Sequence, residues 1–182
     1  MQMLEFLIDK AKKNLVRDGA LEPVFILAVD EDVITAQPLA TLARTYERAH
    51  PGEQLNMEDT KTRDTFAIGG LAAAIRANRV ILIWDGAFRT CEKDAPYDPT
   101  QTPLTYPKSM RTECIIINEV LLPSGKDRTV VIPYKGGEGE PVEFLPDDKF
   151  KKAGMDYKSR FTEIILSGYN RGLEVTKGRN AE

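Results

Sequence analysis

Apolar side chains at Leu4, Leu7, Ile8, Ala11 and Leu15 recur at helical spacing while Lys10, Lys12 and Lys13 face away, which predicts a helix over residues 3–18. Gly19 is placed to stop it. Two apolar, β-branched runs follow, Pro23 to Val29 and Val33 to Leu39, and Asp30-Glu31-Asp32 between them reads as a short hairpin connection. A short helix is expected over 40–49, with Leu42, Ala43 and Tyr46 on one side. The polar stretch from His50 to Asp59, with Pro51 and Gly52, reads as a loop.

The next helix is expected from Thr60 to Ala77, with Phe66, Ile68, Leu71, Ala72 and Ile75 as its apolar face, Asp59 as a candidate cap and Asn78-Arg79 as its end. Gly69-Gly70 and Ala72-Ala73-Ala74 leave one side thin, which permits close approach to a sheet or another helix. Val80 to Trp84 is a continuous apolar strand of the kind covered on both faces. Asp85-Gly86 is expected to interrupt or bend it before Ala87 to Cys91 resumes it. Strands over 112–122 and 128–134 flank a hairpin loop, Pro123 to Asp127. Gly136 to Glu140 reads as a loop and Val142 to Leu145 as an edge strand. A last helix is expected over 157–170, stopped by Gly172, and residues 176–182 are expected to fray.

Strands adjacent in sequence and joined by short turns favour antiparallel pairing. The fold class expected is α+β: a single domain, 1–182, with a mostly antiparallel sheet of about five to six strands and helices packed over it. A length of 182 residues suits one domain with a proper core.

Charge and scarce residues narrow the function. The net charge is −3, from 25 Lys and Arg against 28 Asp and Glu, and neither half of the chain is strongly basic or acidic. That balance disfavours binding to nucleic acid or to an anionic membrane, which needs clustered positive charge. The N-terminal residues lack a basic region followed by an apolar run, so no signal peptide is expected. The most apolar run, Phe66 to Ile75, is far shorter than the roughly 20 residues of a membrane span. Two cysteines, Cys91 and Cys114, suit a reducing compartment, so a cytoplasmic location is expected, with both thiols as small buried groups. The single histidine, His50, excludes zinc sites built from several histidines of one protomer, and no Gly-x-Ser-x-Gly elbow accompanies it.

Chemistry could reside in a few places. The connection 92–108 carries Pro96, Pro99, Pro103 and Pro107 with Tyr97 and Tyr106, a composition suited to an ordered surface loop, an arm on a neighbouring subunit or protein partner, or the wall of a site. Trp84, Asp85 and Arg89 open into it, and Arg111 and Glu113 follow it. Antiparallel pairing would gather Asp85, Arg89, Arg111 and Glu113 at one end of the sheet, either to bind an anionic ligand or, more commonly, as an ion-pair network. Trp84 is expected in the core rather than as a stacking platform.

Asp30-Glu31-Asp32 has the oxygen donors of a divalent-cation site, but Asp is also a favoured turn residue. Asp147-Asp148-Lys149 holds an Asp-x-Lys tripeptide similar to the end of the metal-dependent nuclease signature, though no acidic partner on a neighbouring strand is identifiable. Lys149, Lys151, Lys152, Lys158 and Arg160 form a basic stretch best read as solvated, and the glycines from Gly136 to Gly139 as a flexible turn rather than a phosphate cradle.

No metal site is assigned, the sequence specifies no cofactor, and no catalytic constellation stands out. The expected function is therefore a non-enzymatic binding or assembly module that forms a homo-oligomer. The alternative is a small carboxylate- and arginine-based enzyme, metal-dependent if the acidic turn takes part, and a weak nucleic-acid binder ranks third.

Overall fold

The structure is a computed structural model that describes residues 3–49, 51–52, 57–88, 107, 111–146 and 160–179. Among these residues the chain forms four helices and six strands. Helix α1 (Met3–Asp18) buries Met3, Leu4, Leu7, Ala11 and Leu15, the helically spaced set. It ends as expected at Gly19, whose φ of 72° is the left-handed conformation glycine adopts freely and whose N–H donates to Leu15 O.

Strands β1 (Val24–Val29), β2 (Asp32–Pro38), β3 (Arg79–Phe88), β4 (Thr112–Leu121), β5 (Lys126–Gly137) and β6 (Glu140–Phe144) form one antiparallel sheet in the order β2-β1-β3-β4-β5-β6. With helices packed over it, the architecture is α+β. Phe25 to Ala28 on β1 and Val80 to Ile83 on β3 are buried runs on interior strands, which explains why their sequences are apolar without alternation.

By contact the chain divides into two compact units, interleaved in sequence. One comprises Met1–Glu22, Trp84–Ile117 and Val130–Asp156; the other comprises Pro23–Ile83, Asn118–Thr129 and Tyr157–Glu182.

In the second unit, α3 (Met57–Ala74) packs on α4 (Arg160–Arg179), with α2 (Ala40–Ala49) alongside. The thin side of α3 is the contact. A Cβ on Gly69 would strike the Ile165 carbonyl, and a Cβ on Gly168 would strike the Phe66 carbonyl, so each helix presents a glycine to the other's backbone. Small residues permit this approach. Helix α2 buries no residue, and Tyr46 is held under the Arg63 guanidinium, 3.9 Å from its ring centroid.

Four expectations need correction. Gly172 does not stop the last helix, which runs on to Arg179; an added Cβ there would lie 2.8 Å from Ala73 Cβ and 3.0 Å from Gly70 O, so this glycine serves packing. Helix α3 ends at Ala74, not Ala77, because Arg76 turns left-handed with φ 59° while Arg76 N–H reaches Ala73 O and Ala77 N–H reaches Ala72 O. That pair of bonds satisfies the terminal carbonyls. Asp85-Gly86 does not interrupt β3, because the bare Gly86 lies where a Cβ would be 2.7 Å from Ile116 Cδ1. Gly136 and Gly137 belong to β5, with a register shift between Lys135 and Gly137 against β6, and both have φ near 90°.

Candidate functional site

Asp85 accepts two hydrogen bonds, and both donors lie in the first unit. Its Oδ1 accepts the Tyr134 hydroxyl at 2.8 Å, and its Oδ2 accepts the Leu21 N–H at 3.1 Å. β3 supplies the carboxylate and β5 the tyrosine, while the segment after α1 supplies the amide. The same segment is gripped a second time, by Glu138 N–H donating to Gly19 O at 2.9 Å. Asp85 therefore clasps the segment that carries buried Leu21.

Burial raises the Asp85 carboxyl above its ordinary range despite the two donors, and the nearby Glu113 and Glu138 charges push it further. Burial and the Asp85 carboxylate together push the Tyr134 phenol up. Cys114, fully buried on β4, has its thiol pushed up to about 12 by burial, so it behaves as an inert core side chain.

The expected four-residue cluster is realised in part. Arg111 Nε lies 2.7 Å from Glu113 Oε1 with both side chains largely covered. Glu113 is close enough to Asp85 to act on its titration. Trp84, beside Asp85 on β3, is half-buried. Arg89, Tyr97 and Tyr106 lie outside the described residues, as do His50, Cys91, nearly all of the 92–108 connection, Asp147 to Lys149 and the basic stretch before Arg160. Tyr134 and Leu21 were the functional partners not foreseen. The one available signal was that a tyrosine in an otherwise apolar strand needs a partner for its hydroxyl.

The acidic turn is used internally. Asp30 Oδ1 accepts from Asn78 Nδ2 at 2.8 Å, Asn78 Oδ1 accepts the Asp30 N–H at 2.8 Å, and Glu31 pairs with Arg79 at 3.0 Å. Asp30 also has φ 53°, the left-handed conformation Asp tolerates at turns. Among the described residues no group of three or more His, Cys, Asp or Glu is arranged to hold a metal ion. No helix among them is long and apolar enough to cross a membrane.

The second candidate place is the outer edge of β2. Among the described residues this strand ends the sheet and pairs only with β1. Leu39 N–H donates to Pro23 O at 2.8 Å, so in alternation Gln37 and Thr35, opposite Phe25 and Leu27, turn their backbone groups toward β1. Ala36 then turns its N–H and C=O outward. Thr35 faces Leu27 and Val33 faces Ala28, which leaves Ile34 as the extra residue of a bulge. Val33 and Ile34 are 49% and 53% exposed. The strand reads Asp-Val-Ile-Thr-Ala-Gln-Pro and carries no Lys or Arg.

No family model, curated protein or solved structure matches the chain.

Proposed function

We propose that the chain is a non-enzymatic assembly module that forms a homo-oligomer through the outer edge of β2. The observation that supports it is the exposed pair Val33 and Ile34 on an outermost strand with no basic residue to repel a partner strand. Soluble folds blunt such edges with lysine, proline, bulges or cover; β2 has its bulge at Ile34 and a proline at its last residue, yet keeps an apolar pair exposed, and an exposed apolar edge is a template for strand addition. The enzyme alternative draws less support, because both oxygens of Asp85 are committed to Leu21 and Tyr134.

The test is light scattering after size exclusion, on wild type and on Ile34→Lys. Ile34 is exposed, so the lysine leaves the core intact and acts only on an incoming strand. A mass above one chain for wild type that falls to one chain in Ile34→Lys supports the reading. Equal masses for the two proteins overturn it.

A further inference from the structure

We infer that the strand added to β2 is the β2 strand of a second copy, antiparallel about a two-fold axis at Thr35, and that assembly stops at two. The inference rests on β2 being an assembly edge and names its occupant. Three observations carry it.

The first is charge. Pairing about Thr35 places Asp32 opposite Pro38, Val33 opposite Gln37 and Ile34 opposite Ala36 of the second copy, so no like charges meet. The second is hydrogen bonding. Ala36 points its backbone N–H and C=O outward, so each copy offers a donor and an acceptor one residue from the axis. Thr35, turned toward β1, then meets its mate as a non-hydrogen-bonded pair, with Cα atoms about 4.5 Å apart.

The third is the other end of the sheet. β6 has only five residues, Glu-Pro-Val-Glu-Phe, with Pro141 lacking an N–H and Glu140 and Glu143 exposed. These are the devices that close an edge. A β2-to-β2 contact is isologous and uses up both open edges, leaving only β6 edges outward. The assembly closes as a dimer and does not grow into a filament.

The experiment is disulfide trapping in a Cys91→Ser background. Thr35→Cys places two sulfurs across the axis, within the Cα separation of roughly 4.4–6.8 Å that a disulfide spans. Gln37→Cys places them about 14 Å apart along the strands, at about 3.4 Å per residue from the axis, and is the control. Oxidation is expected to convert most of the Thr35→Cys protein to a covalent dimer, with little from Gln37→Cys, and Ile34→Lys added to Thr35→Cys is expected to abolish the product. Trapping by Gln37→Cys but not Thr35→Cys, while Ile34→Lys still dissociates wild type, overturns the register and leaves the edge reading standing. Species larger than two chains that grow with concentration overturn the closure. A dimer that Ile34→Lys does not dissociate, or a monomer at every concentration, overturns both.

Discussion

Gly168→Ala tests how closely α3 and α4 approach. The added methyl meets the Phe66 carbonyl oxygen, a backbone atom that cannot rotate aside, so the helices must separate. Overpacking of this kind costs about 1–3 kcal/mol. Alanine is worth roughly 1 kcal/mol more than glycine within a helix, which offsets part of the cost. Because the overlap is with a fixed backbone atom, the cost is taken at the upper end, and the net expectation is a loss of about 2 kcal/mol, or a midpoint lowered by roughly 4–8 °C at this chain length.

Gly70→Ala is the matched control. The nearest obstacle outside its own helix is Gly168 O at 3.7 Å, an ordinary contact, so only the helix-propensity gain remains. It is expected to raise stability by about 0.5–1 kcal/mol. Urea titrations of the three proteins, followed by far-UV circular dichroism, read both signs in one experiment. A Gly168→Ala protein as stable as wild type, or a Gly70→Ala protein as damaged as Gly168→Ala, would refute the packing argument.

Further outcomes follow from the clasp and the acidic turn. Asp85 titrates above its ordinary value of 3.8 when folded, so its proton is bound more tightly in the native state. Its contribution is complete below the unfolded value and is lost as pH rises through the folded one. Asparagine stays neutral and keeps one acceptor for Leu21 and one donor for the tyrosine oxygen. The stability of wild type relative to Asp85→Asn should therefore rise as pH is lowered toward 4; a flat or opposite trend in urea titrations excludes the cause assigned. Tyr134→Phe leaves a half-buried carboxylate oxygen without its donor and is expected to cost about 1–3 kcal/mol, read by the same titrations. Asn78→Ala removes both side-chain bonds to Asp30 and is expected to cost about 1–2 kcal/mol, with faster amide exchange at Asp30; unchanged exchange there would contradict it. In a Cys91→Ser background, Cys114 should resist thiol reagents at pH 8 until the protein is unfolded, given burial and a pKa near 12.

Much of the fold was legible because local periodicity decides it. The set Leu4, Leu7, Ala11 and Leu15 defines α1, and Gly19 ends it in the conformation glycine is suited to. The α3 glycines announced a close approach, but the partner was invisible until Ile165, Gly168 and Gly172 were placed against them. Gly172 misled for that reason: a glycine kept for packing and a glycine kept for a turn look alike in one sequence. The Asp85 clasp joins residues 64 and 49 positions apart, a distance no local pattern reports. Val33 and Ile34 look like core residues in sequence; only the strand order, with β2 outermost, turns them into an exposed edge.

Amide exchange at Ala36, followed across a hundredfold range of protein concentration, addresses assembly through β2 most directly. Ala36 points its N–H away from β1, so in a single chain it exchanges with solvent. Protection that grows with concentration, confined to β2 and lost in Ile34→Lys, is expected. Fast exchange at every concentration would contradict strand addition at this edge.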